Sequence, residues 1–188
     1  MGLYTDFIQK VKGRGFAQGN RYKVFINVPQ NTGPSGTNYF QEYGVVTDGD
    51  TLRTFTLMCE STELPGKGIT TTDVNIYGPT YSQPYNQIFN ETNFVFRIGN
   101  DMNEKKFFDA WLATIIDPVT NDVNFYKEFV TDLEVEQLNR NEEAIYKVRL
   151  LEAFPTSINA ISLDHTLPDV IQKISVNIKY RYWEPVNV

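Results

Sequence analysis

The chain has 188 residues, 41% of them hydrophobic and 21% charged, which suits one well-buried globular domain. A net charge of −6 argues against a general nucleic-acid binder held by basic patches, and the single cysteine, Cys59, excludes an internal disulfide framework or a zinc cluster. The 13 Phe, 11 Tyr and 2 Trp fall largely in alternating runs, which favours sheet over helix.

In chain order, Leu3, Phe7, Ile8 and Val11 predict a short amphipathic helix over 3–12. No basic segment leads into an apolar run here, and Asp6 stands where a myristoylation signal wants Ser or Thr. Nor does any stretch approach the ~20 apolar residues of a membrane helix, so folding in a cytoplasm is expected. The glycine cluster from Gly13 to Gly19 follows no strand, so it reads as an arm and not as a dinucleotide loop. Tyr22, Val24, Ile26 and Val28 alternate in a first strand that Pro29 ends, and residues 30–38 are a turn-rich loop.

A hairpin is expected next, with strands over 39–47 and 51–59, Phe55 and Leu57 on one face of the second, and a turn at Asp48-Gly49-Asp50. Two carboxylates without further oxygen ligands do not make Asp48 and Asp50 a calcium site. Residues 60–68 break the pattern, 73–78 form a short strand, and 79–84 are a loop. Phe94, Phe96 and Ile98 alternate in a strand over 92–99. The period then changes. Asp101 and Glu104 have capping-box spacing, and Phe107, Phe108, Trp111, Leu112 and Ile115 form one apolar helical face that Asp117-Pro118 ends.

Strands over 131–138 and 144–153 follow, joined around Asn139-Arg140-Asn141, with Leu133 and Val135 on the face opposite Glu134 and Glu136. Phe154-Pro155-Thr156 closes the second strand, and 158–168 connect to a final run over 171–183. Ile174, Val176, Ile178, Tyr180 and Tyr182 alternate along that run, about 40 Å if fully extended. The fold class expected is mainly β and antiparallel, with one packed helix, in a single domain over 1–188 with an N-terminal arm over 1–20.

No catalytic, metal or cofactor site is nominated. His165, the only histidine, lies beside Asp164 in a turn without a nucleophile-elbow pattern, and it reads as polar surface. Glu134 and Glu136 sit roughly 7 Å apart on one strand face without an aromatic cleft, which describes a solvated face better than a glycosidase pair. Asn90-Glu91-Thr92 is a glycosylation sequon without a secretion signal. Function is therefore expected to lie in surfaces.

Three segments resemble the tail tube proteins of contractile-tailed (T4-like) bacteriophages. They are Phe55 to Gly66, with Cys59-x-x-x-x-Leu64-Pro65; Thr92 to Trp111, with Asn100-Asp101 opening a helix; and Phe154-Pro155-Thr156 leading to a terminal strand that ends Tyr182-Trp183-Glu184. The resemblance spans about 20–185 and departs from the family at 29–50 and 117–130. It implies a β-sandwich-like barrel with one flanking α-helix, joined edge to edge into six-membered rings around a continuous inner β-barrel. Such rings stack into a tube through which phage DNA passes without specific binding. Implied partners are further copies of the chain and the tail sheath, baseplate and tail terminator proteins, in a virion tail assembled in the host cytoplasm. Type VI secretion tube proteins, contractile injection systems and baseplate tube initiators share the implied fold.

On this footing Glu134 and Glu136 are candidate lumen-facing acids that repel phosphates. Leu64, Pro65, Gly66 and Lys67, with the loop to Tyr85, are the candidate ring-to-ring contact, and Phe107, Phe108, Trp111 and Leu112 pack the helix. Three alternatives stay open: a baseplate initiator that forms a single ring, an inner tube protein of a contractile injection system and, more remotely, a carbohydrate-binding β-sandwich using Tyr77, Tyr81 and Tyr85.

Overall fold

The computed structural model describes residues 3–29, 33–45, 47–164, 166 and 171–187. The elements in order are α1 (Leu3–Arg14), β1 (Tyr22–Ile26), α2 (Tyr39–Glu42), α3 (Gly49–Met58), β2 (Cys59–Thr62), β3 (Gly68–Val74) and β4 (Tyr81–Ile88). They continue with β5 (Thr92–Arg97), α4 (Asn103–Ile115), α5 (Tyr126–Phe129), β6 (Thr131–Leu138), β7 (Ala144–Ile158), β8 (Lys173–Lys179) and β9 (Tyr182–Val186). All strand pairs are antiparallel: one sheet runs β1-β6-β7-β8-β5-β2 with β9 also on β7, and β3 and β4 form a separate hairpin.

β7 belongs to both halves of the large sheet. Residues 144–153 pair with β6, and 154–158 pair with β8. The change of partner falls at a bulge, where Thr131 faces Ala153 but Leu133 faces Leu150. Glu152 sits there with φ 52°, a left-handed conformation that costs a non-glycine residue on the order of 1 kcal/mol or more. Arg181 holds it, with a guanidinium N–H 3.0 Å from the Glu152 carboxylate and its backbone N–H bonded to the Leu151 carbonyl.

The same bend divides the final run. β8 and β9 both lie along β7, with Val176 opposite Ile158 and Val186 opposite Lys147, and they break at Tyr180-Arg181, beside the bulge. The single straight strand expected over 171–183 is thus a run kinked in step with its neighbour. Likewise Pro155 does not close β7, which continues to Ile158.

The alternating positions fill the interior. Val24, Leu133, Val135, Val148 and Leu150 are buried from one half of the sheet, and Phe94, Phe96, Ile174, Val176 and Ile178 from the other. α4 lays Phe107, Phe108 and Trp111 against them, with Phe55 and Phe40 completing an aromatic cluster whose closest rings, Phe55 and Phe107, have centroids 4.8 Å apart. The indole N–H of Trp111 donates to the Phe129 carbonyl at 2.7 Å, which satisfies the polar end of a buried ring.

The expected hairpin over 39–59 is instead α2 and α3. The side-chain oxygen of Asn38 accepts from the Gln41 N–H, an N-cap that starts α2. Leu52, Phe55 and Thr56 of α3, with Cys59 just after it, follow helical spacing toward the core. Leu57, which alternation placed beside Phe55, is 76% exposed. Asp48-Gly49 therefore opens a helix, the Asp48 carbonyl accepting from the Leu52 N–H, and does not turn a hairpin. The strand that follows is β2, which runs from the end of the expected strand into the segment expected to interrupt the sheet. α4 starts later than the capping-box reading placed it: Glu104 reaches back to the Gly99 N–H at 3.0 Å, and Met102 at φ 55° enters the helix.

Candidate assembly surfaces

Glu134 and Glu136 lie on the outer face of β6, across from Lys147 and Arg149 of β7 and from Phe25 and Lys23 of β1. Lys147 Nζ is 2.6 Å from Glu134 and 3.1 Å from Glu136, and Arg149 is 2.9 Å from the other Glu134 oxygen. Burial pushes the Glu134 carboxyl up, but the hydrogen bonds from Lys147 and Arg149 outweigh it and hold the group below its ordinary value. Those bonds to Glu134 and Glu136 raise Lys147. The two acids, expected to repel phosphates from a lumen, thus stand in a ladder with Lys147 and Arg149, with Lys23 opposite Glu136 on the other side.

Leu64, Pro65, Gly66 and Lys67 form the β2–β3 connection. The Gly66 carbonyl accepts from the Trp183 indole N–H at 3.1 Å, and Lys67 Nζ stands 5.8 Å from the centre of the Phe89 ring. These contacts pin the segment to the body, although Leu64 is exposed. What projects is the β3–β4 hairpin beyond it. Every residue of β4 is exposed, and Tyr77, Tyr81 and Tyr85 all sit on this hairpin. It lies where the sequence suggested a short strand and a loop. Tyr85 is the extra residue of a bulge that passes Pro84, since Thr70 faces Asn86 and Thr71 faces Pro84. The Ser82 hydroxyl donates to Asp73 at 2.7 Å across the pair.

Phe107 and Phe108 are fully buried, as is Trp111, whereas Leu112 is only half-buried on the flank of α4. Where α4 ends, the buried Asp117 carboxylate gathers the connector. It accepts from the hydroxyls of Tyr39 and Ser35, both at 2.7 Å, and from the N–H groups of Val119 and Thr120 at 2.8 and 3.0 Å. The Tyr39 bond foremost, then that of Ser35, holds the Asp117 carboxyl well below the carboxylate range. Outside this knot Ile116, Val119, Val123 and Phe125 are exposed.

β1 has one unpaired edge. Beside it, a groove of about 1030 Å³ opens between β1, β2 and α3, lined by Tyr22, Phe25, Leu52, Arg53 and Arg97 among others. The Tyr22 hydroxyl donates to the Cys59 carbonyl at 3.1 Å, tying the two ends of the large sheet together. Burial pushes both the Cys59 thiol and the Tyr22 hydroxyl up to about 12, so Cys59 is a core residue and not a nucleophile. Among the described residues no group of three or more His, Cys, Asp or Glu side chains is placed to hold a metal ion, and no helix is long and apolar enough to cross a membrane. His165 lies outside the described residues.

The sequence profile of the family described as Phage tail tube protein matches residues 17–185. The chain belongs to that family. This tail tube protein also shares its fold with solved structures of contractile particles. One is the anti-feeding prophage cap (the AFP tube terminating cap), at 14% identity, 93% coverage of both chains and a TM-score of 0.61. A second is the AFP baseplate, at 11% identity, covering 91% of this chain and 95% of the other, with a TM-score of 0.57. A third is the sheath-tube complex of the PVC extracellular contractile injection system, at 17% identity, 96% and 97% coverage and a TM-score of 0.53. At such identities the likeness is one of fold. No curated protein sequence matches the chain.

Proposed function

We propose that this tail tube protein is a structural subunit that closes into six-membered rings, stacked into a tube through which phage DNA passes. The observation that carries the reading is the β3–β4 hairpin, a two-stranded arm with every β4 residue exposed. A lone hairpin is marginally stable in water, so such an arm gains its order from a neighbour. The free edge of β1 supports lateral joining, because ring closure removes an edge that would otherwise invite uncontrolled pairing. In this reading Leu64–Lys67 is the pinned base of the ring-to-ring contact and the hairpin is its reach. Glu134 and Glu136 line the channel as part of a charge-matched wall that offers phosphates no strong binding site. Sheath, baseplate and terminator proteins are the partners in the tail, and no reaction is assigned.

Negative-stain microscopy of the concentrated chain tests this: rings or tubes are expected. A chain that stays monomeric, even when offered a tail baseplate, overturns it. Deleting residues 69–87, which keeps Leu64–Lys67 and their anchors, is expected to leave the fold intact and block tube growth.

A second reading, a cap or baseplate component that forms one ring, is supported by the fold shared with the AFP cap and baseplate at TM-scores of 0.61 and 0.57. Filament growth from the purified chain separates the two. Open-ended tubes favour the tube subunit, and rings that never extend favour the cap or baseplate role.

A further inference from the structure

We propose that α1 is an arm that seats on the 116–125 connector of a second copy. The inference rests on the assembling role proposed above.

Tyr4, Phe7, Ile8 and Val11 fall at i, i+3, i+4 and i+7, one apolar stripe along a helix. In its own chain the outer half of the stripe is left open, with Tyr4 77% and Phe7 60% exposed, while Ile8 and Val11 are half-buried. The family profile begins at residue 17, so α1 lies outside the segment that the profile matches. Its charge is opposite to that of the rest of the molecule. Residues 1–21 hold Lys10, Lys12, Arg14 and Arg21 against Asp6, a net of +3; with −6 for the whole chain, residues 22–188 carry −9.

A surface of matching chemistry lies on the connector. Ile116 and Val123 are bridged side by side, and Val119 and Phe125 stand 86% and 84% exposed, with the exposed Asp122 in the same segment and Lys127 and Glu128 just beyond it in α5. Exposed apolar side chains gathered in one short segment, with the exposed carboxylate of Asp122 among them, suit a basic amphipathic helix.

Placement suits a contact between copies. The arm leaves from the Leu138 end of β6, where the Leu138 N–H donates to the Arg21 carbonyl and the Gln137 side chain donates to the Gln18 carbonyl at 2.7 Å. The connector enters β6 through α5 at the opposite end, Thr131. Seven residue steps separate the two ends, roughly 23 Å. A subunit with an arm at one end and its seat at the other makes a head-to-tail contact that repeats from copy to copy.

The test mixes two full-length variants, Phe7→Cys and Val123→Cys, at a concentration where the unmodified chain assembles. Cys59 stays in place because it is buried. Mild oxidation is expected to give a disulfide-linked dimer with one chain of each kind. Pairing Phe7→Cys with Tyr146→Cys, away from the connector, should give none. Independently, Lys12→Glu is expected to raise the concentration needed for assembly by up to about five-fold, the scale of one exposed ion pair, and Asp122→Lys to restore it. Assembly of the unmodified chain without the Phe7–Val123 cross-link overturns the arm and leaves the tube reading standing. A chain that never assembles overturns both.

Discussion

The aromatic cluster around α4 and the β3–β4 hairpin are both rich in large side chains, yet they are treated oppositely by the fold. Phe55, Phe96, Phe107, Phe108 and Trp111 are all almost completely buried, ring against ring. Tyr77, Tyr81 and Tyr85 are open to solvent, and across their hairpin β3 and β4 bond mainly to each other. Aromatic residues are costly to expose when nothing covers them. The first group therefore holds the subunit together, and the proposed function keeps the second for a neighbour. On that proposal one set answers to folding and the other to assembly.

The largest effect separating the two is expected from Phe107→Ala, which empties the centre of the cluster and should cost about 3–5 kcal/mol, read as a lower denaturant midpoint with an unchanged slope. Trp111→Phe comes next. It leaves the Phe129 carbonyl without its donor and should cost about 1–3 kcal/mol by the same measurement.

Acid reports on the knot at the end of α4. The Asp117 carboxyl is lowered in the folded chain, so its contribution is complete above the ordinary carboxylate value. That contribution is lost as pH falls below about 4 toward the folded value, because protonation then favours the unfolded chain. Thermal melting followed downward from about pH 5 should show this loss, and Asp117→Asn should flatten it. The smallest stability change is expected from Tyr77→Ala with Tyr85→Ala, within about 0.5 kcal/mol, while assembly followed by sedimentation is lost. A large stability loss there would place the hairpin with the core.

The sequence revealed what the chain packs against itself. β6 and α4 were legible because Leu133 and Val135, and Phe107, Phe108 and Trp111, each meet the core with a clean period. The segment over 39–59 misled because Phe55 belongs to two patterns, alternating with Leu57 and helical with Leu52 and Cys59, and only burial decides between them. β4 left no pattern at all: both its faces meet solvent, so neither is selected to be apolar, and Pro84 argued against a strand. The kink at Arg181 was hidden because alternation carries through it, its cause being a bulge far away in sequence, at Glu152. The pairing of Glu134 and Glu136 with Lys147 and Arg149 needed the register of β6 on β7, which no single strand records.

Hydrogen exchange over residues 68–88, compared between dispersed and assembled protein, tests the division most directly. The account predicts fast exchange along the hairpin in the dispersed chain, strong protection on assembly, and little change in β5, β6 and α4. A hairpin that is protected in the dispersed chain, or that exchanges equally fast in the assembly, would contradict it.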